Sequence, residues 1–335
     1  MEIKDKIKLL ENYLKDKKCI LGFSAGSDST LLAFILSRVS PDSLLVTIDN
    51  NMMPNGFIEY TEKKSKEFNL KHEIIKLNFI EDPTFISNNP KRCYNCRNLM
   101  YKNIQKLPEF KDYDLFIEGT NLTDLLEDRP GVLILDKYNM ISPLVECEIT
   151  KDDVLNILDY YNINYSSNTT CLSTRVKTNQ IVDKEKLSMV DTAEHILRKY
   201  VKQNNIRVRF DDYQAIISID SPDELINTEK LKKINEEFLE LGFKRVFLDI
   251  TGYSKTKFEY EIENDYYYYQ LPYTIDIDKT IKKINEKTTL KIINEKNKII
   301  YKNITIHENG KITMPKKNNF YEKFNEILPY IKRKI

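Results

Sequence analysis

The sequence contains no apolar run that approaches the ~20 residues needed to cross a membrane as a helix. Its N-terminus also lacks the pattern of a signal peptide. Its charges nearly cancel, with 52 Lys and Arg against 51 Asp and Glu, so no global field attracts nucleic acid or an anionic membrane. We therefore expect a soluble, cytoplasmic protein with no membrane partner, for which nucleic acid is an unfavoured partner.

Cysteine is scarce, with five residues in a chain of 335. An odd number in a chain without a secretory signal favours thiols or metal ligands over disulfides. Cys93 and Cys96 form a C-x-x-C flanked by Arg92 and Arg97, which would lower the thiol pKa values. The chain has no second C-x-x-C, so a third ligand would be a distant cysteine such as Cys171. Three cysteines can hold a 4Fe–4S cluster with one open iron; a redox dithiol, a structural pair and a zinc site are the alternatives.

A turn of small residues lies near the N-terminus. It is not a Walker motif, because that motif needs a lysine at the start of the following helix and this segment has none. The turn follows the apolar run 19–23 and precedes the apolar run 31–36, the order of a buried strand, a turn and a helix. Small side chains let the backbone approach a ligand closely, and the start of a helix favours an anion. The candidate phosphate ligands are Ser24, Gly26, Ser27, Asp28, Ser29 and Thr30.

This segment resembles the PP-loop, S-G-G-x-D-S, of the ATP pyrophosphatase superfamily. Members of that superfamily cleave ATP between the α and β phosphates and leave a substrate adenylated. The resemblance implies ATP and Mg²⁺ as cofactors, with pyrophosphate held by the loop. Ala25 stands where the first glycine is usual, and its methyl group is tolerated only if the residue keeps a negative φ.

Strands and helices alternate along the first part of the chain. This alternation predicts an α/β fold: a doubly wound parallel sheet with helices on both faces. In such a sheet ligands bind beyond the carboxyl ends of the strands, so we expect Asp49 and Gly119 to enclose adenosine beside the turn. The predicted strands are 19–23, 44–49, 72–78 and 114–120, and the predicted helices around them include 2–17 and 57–68.

The pattern predicts three domains, with the sheet in residues 1–165. Residues 166–254 form a small α+β domain, with helices over 184–203 and 229–241 and strands over 206–210, 214–220 and 244–250. Residues 255–335 are a C-terminal extension, with tyrosine-rich and lysine-rich strands, a turn at Asn309-Gly310 and a helix over 320–331. The sequence does not indicate the role of this extension.

Four ordered segments resemble the LarE family, the sulfur transferases of nickel-pincer nucleotide cofactor synthesis, and most closely its members with three cysteines. The match runs from about residue 18 to residue 254. Its segments are Ser24–Ser29; Arg92-Cys93-Tyr94-Asn95-Cys96; Glu118-Gly119-Thr120-Asn121 with Asp128-Arg129-Pro130-Gly131 and Ser142-Pro143-Leu144; and Cys171-Leu172-Ser173-Thr174-Arg175 with Ala193-Glu194 and Arg207-Val208-Arg209.

The resemblance implies that a carboxylate of pyridinium-3,5-biscarboxylic acid mononucleotide is adenylated and that sulfur then replaces AMP. It implies catalytic roles for Asp28, Cys171 and Glu194, and a homo-oligomer. The sulfur comes from sulfide or a cysteine-derived donor and is carried on a 4Fe–4S cluster held by Cys93, Cys96 and Cys171, or Cys171 gives up its own sulfur. The implied substrate-binding residues are Asp128, Arg129, Arg175, Arg207 and Arg209.

Several alternatives stay open at this point. Arg207 and Arg209 alternate on a predicted strand and therefore share one face, which is either a phosphate clamp or a solvated face. Glu194 is either a ligand or a surface residue of its helix. As a whole, the chain is alternatively a tRNA thiolation enzyme of the PP-loop class or a non-catalytic module that binds an adenine nucleotide.

Overall fold

Parallel strands and helices alternate through the first half of the chain. The computed structural model describes residues 2–127, 129–167, 169–203, 205–253, 260–288, 292–316 and 319–334. The elements of this half are, in chain order, α1 (Ile3–Leu14), β1 (Cys19–Gly22), α2 (Ser27–Val39), β2 (Leu44–Asp49), α3 (Phe57–Glu67), β3 (Lys71–Lys76), α4 (Pro83–Ile86), α5 (Arg92–Ile104), β4 (Leu115–Ile117), α6 (Pro143–Glu146) and α7 (Lys151–Tyr160).

The four strands form one parallel sheet in the order β3-β2-β1-β4. Leu21 of β1 lies opposite Leu45 of β2 and Ile117 of β4. Ile20 and Leu21 are fully buried and point to opposite faces, where each belongs to a separate apolar cluster. Since β1 is flanked by β2 on one side and β4 on the other, the strand order reverses at β1, and a crevice is expected there. The predicted doubly wound α/β fold is confirmed.

A second, three-stranded sheet follows. Its elements are α8 (Lys184–Leu197), β5 (Ile206–Asp211), β6 (Gln214–Ile219), α9 (Thr228–Glu240) and β7 (Arg245–Leu248). Asp212 and Tyr213 join the antiparallel strands β5 and β6 with φ values of 48° and 60°, as a tight two-residue hairpin turn requires. β7 pairs with β6 in parallel, and α8 ends at Leu197 rather than at residue 203 as predicted.

The elements of the C-terminal extension are β8 (Glu261–Glu263), β9 (Tyr266–Gln270), α10 (Ile277–Lys287), β10 (Ile293–Glu295), β11 (Lys298–Tyr301), β12 (Ile304–His307), β13 (Lys311–Pro315) and α11 (Phe320–Ile327). The strands form a third sheet, antiparallel throughout, in the order β10-β11-β12-β13-β9-β8. The predicted turn at Asn309-Gly310 lies between β12 and β13; there Gly310 has a φ of 88°.

The extension packs directly on the first half of the chain. Leu122 and Val145 belong to the same buried cluster as Leu271, Ile304 and Phe324 of the extension. The two regions therefore share apolar side chains. Among the described residues, no helix is both long enough and apolar enough to span a membrane.

Candidate active site

The turn between β1 and α2 has a left-handed residue at its centre. Ala25 is fully buried and has a φ of 54°, and its carbonyl accepts a hydrogen bond from the Ser166 N–H at 2.9 Å. The prediction that an alanine is tolerated at this position only with a negative φ is therefore wrong. Ala25 adopts the torsion that glycine reaches freely, at a strain of about 1–2 kcal/mol for a residue with a Cβ. Strain of this kind is concentrated at ligand sites.

Gly26 precedes α2 and lies against Thr169. A Cβ at this position would lie 2.7 Å from Thr169 Oγ1, so the close approach requires glycine. Because Gly26 has no side chain to cap the helix, the first N–H groups of α2 are open to a ligand. Ser24 Oγ lies 3.2 Å from Ser29 Oγ beside them, and Ser29 Oγ donates to the Gly26 carbonyl at 3.2 Å. Amide and hydroxyl donors at a helix start suit a phosphate group.

Asp28 is held at the helix start by two side chains from other elements. Asn121 Nδ2 donates to Asp28 Oδ1 at 2.9 Å, and Lys151 Nζ donates to Asp28 Oδ2 at 2.6 Å. Lys151 Nζ also donates to Ser27 Oγ at 2.6 Å. An ammonium group therefore lies at the phosphate turn, as in a Walker motif, but it comes from a distant helix. Thr30 lies behind this surface and is fully buried.

Sequence reasoning missed Lys151. The residue opens α7, where the helix dipole disfavours a cation, and its neighbour Thr150 caps the helix by accepting from the Asp153 N–H. A lysine at such an unfavourable position was the available signal for a role outside the helix.

The segment after β4 touches the same helix start. A Cβ at Gly119 would lie 3.1 Å from Asp28 Cβ and 3.2 Å from the Ser29 amide nitrogen. The neighbouring Glu118 carboxylate is buried and accepts from Thr120 Oγ1 at 2.7 Å and from Ser142 Oγ at 2.5 Å. Gly119 is therefore needed for the close contact between β4 and α2.

The loop after β2 joins this site to Cys171. Asp49 Oδ1 accepts from the Asn51 N–H at 3.3 Å, and buried Asn50 accepts from the Met52 N–H at 3.1 Å. The Met52 carbonyl in turn accepts from the Leu172 N–H at 2.8 Å. Ser166 contacts the turn after β1 and Leu172 contacts the loop after β2, so both loops meet residues of the same part of the chain. The adenosine contacts expected for Asp49 and Gly119 stay predictions.

The three candidate cysteines are neighbours. Cys93 and Cys96 are three residues apart in α5, so they share a helix face. Burial raises the pKa of the Cys96 thiol, and the nearby Cys171 and Cys93 raise it further. Burial also raises the pKa of Cys171, while the Ser173 hydroxyl, 2.9 Å from its Sγ, and Arg92 oppose that rise.

The thiols are not arranged as metal ligands. Cys96 Sγ donates to Met100 Sδ at 3.6 Å within its own helix, and Cys93 Sγ accepts from Arg92 Nη2 at 3.7 Å. In the described part of the chain, no group of three or more His, Cys, Asp or Glu side chains could hold a metal ion. As they are placed, the cysteines do not fit the expected 4Fe–4S cluster.

Arg175 and Glu194 form a buried ion pair behind Cys171. Arg175 Nε lies 2.7 Å from Glu194 Oε1, and each side chain is only 2% exposed. Arg175 Nη1 donates to Thr170 Oγ1 at 2.8 Å and to the Cys171 carbonyl at 3.3 Å, while Glu194 also accepts from the Val208 N–H at 3.2 Å. This ion pair holds the Cys171 segment in place against α8 and β5, and the catalytic role of Glu194 stays a prediction.

Arg207 and Arg209 differ in their surroundings. Arg207 is buried, donates to the Ile206 carbonyl at 2.8 Å and lies over the Tyr253 ring; burial lowers its pKa. Arg209 is exposed. Their role as a phosphate clamp stays a prediction.

Arg129 is occupied by acidic neighbours. Its guanidinium lies 2.7 Å from Asp124 Oδ1 and 2.7 Å from Glu127 Oε2. Burial raises the pKa of Asp124 to about 6, although Arg129 opposes the shift. Asp128, a predicted substrate residue, lies outside the described residues.

Comparisons with known proteins identify a family. No protein-family model matches the chain. The uncharacterized protein MJ0830 of Methanocaldococcus jannaschii is 35% identical over 256 residues, which cover 75% of this chain and 98% of that protein. The chain belongs to the family of this archaeal protein. A further relative of the family, the uncharacterized protein slr1717 of Synechocystis, is 27% identical over 246 residues, or 72% of this chain and 91% of that protein.

The similarity extends in part to a PP-loop enzyme. The tRNA(Ile)-lysidine synthase of Campylobacter jejuni strain RM1221 is 38% identical over 182 residues, which cover 49% of this chain and 53% of the synthase. The parallel sheet and the turn before α2 fit this similarity. The matches to the archaeal and cyanobacterial relatives leave about a quarter of this chain without a counterpart.

Proposed function

We propose that the chain is an ATP-dependent enzyme that adenylates a substrate carboxylate and releases pyrophosphate. The observation that carries the proposal is the set of donors at the start of α2. Open N–H groups, the hydroxyls of Ser24, Ser27 and Ser29, and the Lys151 ammonium meet there. ATP enters as its Mg²⁺ complex, and its β and γ phosphates bind these donors. The similarity to a PP-loop synthase supports the same assignment.

The chemistry needs a better leaving group than oxide, because a free carboxylate resists attack by sulfur. The substrate carboxylate attacks the α phosphorus, and the bond between that phosphorus and the oxygen bridging to the β phosphate breaks. Pyrophosphate leaves, and the hydrogen-bond donors at the start of α2 stabilise its negative charge. Lys151 offsets that charge, and Asp28 holds Lys151 in place at 2.6 Å. The product of this half-reaction is an acyl adenylate whose leaving group is AMP.

Cys171 is the proposed sulfur nucleophile for the second half-reaction. Its thiolate attacks the acyl carbon and AMP departs; loss of the Cα proton then breaks the Cβ–S bond. The products are a thiocarboxylate and a dehydroalanine at position 171. Ser173 and Arg92 stabilise the thiolate against the effect of burial. The cysteines as placed do not fit an iron–sulfur cluster, so the transferred sulfur in this proposal is that of Cys171 itself.

The resemblance to LarE-type sulfur transferases makes pyridinium-3,5-biscarboxylic acid mononucleotide the proposed substrate. The test is anaerobic turnover with this mononucleotide, ATP, Mg²⁺ and sulfide, followed by mass spectrometry of the product and of the protein. We expect thiocarboxylate, AMP and pyrophosphate, together with a chain that has lost the elements of H₂S at Cys171. Repeated turnover by a chain of unchanged mass would contradict the sacrificial step and support an external sulfur carrier.

Asp28→Ala tests the loop assignment. The variant should lose pyrophosphate formation, while Asp42→Ala, at an exposed turn, should keep it. Wild-type rates in the Asp28 variant would remove the assignment. ATP binding without pyrophosphate formation by the wild-type chain would support a non-catalytic nucleotide-binding module.

The similarity to a tRNA(Ile)-lysidine synthase favours tRNA as the second candidate acceptor. Salt-sensitive binding of tRNA, with ATP cleavage but no thiocarboxylate, would support this alternative. The near-zero net charge of +1 argues against it.

A further inference from the structure

A cavity of about 400 Å³ lies between the first half of the chain and the C-terminal extension. Sites for small molecules have volumes of roughly 300–1,000 Å³, and this cavity is near the lower end of that range. Val132, Met140 and Val145 give it an apolar wall on one side, and the extension contributes Tyr273 and Ile331 on the other. Apolar walls around a few polar groups are typical of a site for a ring-bearing small molecule.

The cavity adjoins both parts of the candidate active site. Thr120 and Asp124 line it, while Asn121 between them donates to Asp28 at the phosphate turn. Tyr94 also lines it and follows Cys93 directly in α5. A molecule bound here would therefore lie beside the phosphate turn and beside the cysteine helix.

The lining carries more positive than negative charge, with six basic side chains and four acidic ones. Four of the six basic residues come from the extension: Lys279, Lys283, Lys332 and Arg333. Several of their ion pairs are long or partly exposed. Lys279 Nζ is 3.5 Å from Asp276 Oδ2, and Lys283 Nζ is 3.5 Å from Glu146 Oε1. Pairs of this kind contribute little and exchange readily for a better anion.

The extension is fixed in this position by contacts around the rim. Tyr273 Oη donates to the Leu125 carbonyl at 2.6 Å, Lys287 Nζ lies 2.8 Å from Glu146 Oε2, and Lys332 Nζ lies 3.0 Å from Asp136 Oδ1.

We propose that the C-terminal extension completes the site of the acceptor substrate, a small molecule that carries phosphate and carboxylate groups, and that Lys279 and Lys283 bind these anions. The identity of the anion class rests on the proposed function. The site itself rests on the cavity, on its charge and on its lining by Thr120, Asp124 and Tyr94, which are sequence neighbours of Asn121 and Cys93.

The test is calorimetric titration of the full-length protein with nicotinic acid mononucleotide as probe, in the presence of saturating α,β-methylene-ATP and Mg²⁺. We expect saturable binding by the wild type, and a dissociation constant raised about tenfold in Lys279→Gln and in Lys283→Gln through loss of a charge-assisted contact. The affinity for α,β-methylene-ATP, titrated alone, should be unchanged in both variants.

Two matched controls come from the same helix. Lys282 is exposed and does not line the cavity, so Lys282→Gln removes a charge without touching it. Lys287 forms an ion pair with Glu146 at the rim and does not line the cavity. Lys287→Gln therefore shows the effect of losing a rim contact without a change in the lining. Both should bind the probe like the wild type.

Equal affinity in the Lys279, Lys283 and Lys282 variants, or no binding of the probe by the wild type, would overturn the inference. If α,β-methylene-ATP binds while the probe does not, the adenylation proposal stands and the acceptor site is wrong. If the probe binds but α,β-methylene-ATP does not, the adenylation proposal fails and the cavity remains an anion site.

Discussion

At the scale of single residues, Ala25 couples backbone strain to the phosphate turn. Its φ of 54° is easy for glycine and difficult for a β-branched residue, and its side chain is fully buried. Ala25→Gly relieves strain of about 1–2 kcal/mol in the folded state. It also increases the conformational entropy of the unfolded chain, which lowers the stability by roughly 0.4–1 kcal/mol. We expect the free energy of unfolding in urea to change by about 1 kcal/mol or less, with pyrophosphate formation retained.

Ala25→Val is the contrasting change at the same position. Its branched side chain is both strained and too large for the site, so we expect a loss of roughly 2 kcal/mol or more in the free energy of unfolding. If the valine variant were as stable as the glycine variant, the left-handed conformation of residue 25 would be wrong.

Asp124 should make stability depend on pH. Its pKa rises from 3.8 in an unfolded chain to about 6 in the fold, and its side chain is 12% exposed. As the pH rises from about 4 to about 6, the unfolded state loses this proton while the folded state keeps it, so Asp124 lowers the stability across that window. Above pH 6 the destabilisation is complete, at roughly 2–3 kcal/mol.

Asp124→Asn tests this effect, since an amide oxygen can still accept from the Asn121 N–H that Asp124 bonds at 3.0 Å. Urea unfolding should show the variant close to the wild type at pH 4 and more stable at pH 8. A stability difference that is the same at both pH values would contradict the assignment.

At the scale of elements, the Arg175–Glu194 pair joins α8, β5 and the Cys171 segment. Glu194→Ala leaves the Arg175 guanidinium buried without its carboxylate, so we expect a loss of about 3–5 kcal/mol in the free energy of unfolding. The matched control is Lys177→Ala, which breaks an exposed pair with Asp211 and should cost about 1 kcal/mol or less. Similar losses in the two variants would show that the buried pair has no special structural role.

The same scale shows how far the sequence could predict the fold. The apolar run before Ser24 and the small residues after it predicted β1, the turn and α2, because these signals are local. The C-x-x-C spacing predicted that Cys93 and Cys96 could reach one ligand, and both residues lie in α5. The residue types in this segment predict that the two thiols lie close together, but they do not predict that both cysteines belong to a helix.

Long-range contacts explain most of what the sequence could not predict at the site. The turn pattern predicted Asp28 as a candidate, but not Lys151, which reaches it across 123 positions of sequence. The pattern also placed Glu194 among candidate ligands, whereas its carboxylate is used by Arg175. Ala25 has a positive φ and its carbonyl accepts from the distant Ser166 N–H, a contact that no local pattern contains.

At the scale of the whole molecule, one apolar cluster contains side chains of both the first half of the chain and the extension. The domain boundaries predicted at residues 165 and 254 stay predictions. Leu122 is fully buried among side chains of the extension, such as Ile304 and Phe324. This sharing implies that the extension and the first half stabilise each other. Local unfolding of one region should therefore raise the exposure of the other.

Leu122→Ala tests this coupling by hydrogen exchange. The cavity left by the leucine should lower the free energy of unfolding by about 2–5 kcal/mol. Because Leu122 follows β4 and packs on the extension, amide exchange should quicken both in β4 and in β11. Ile234→Ala, buried in the separate cluster under the β5–β7 sheet, is the matched control and should leave exchange in β11 unchanged. If exchange became faster in β4 but stayed unchanged in β11, the extension would be held only by its polar rim contacts. Because salt screens such contacts, the cavity would then open as the salt concentration rises and close as it falls.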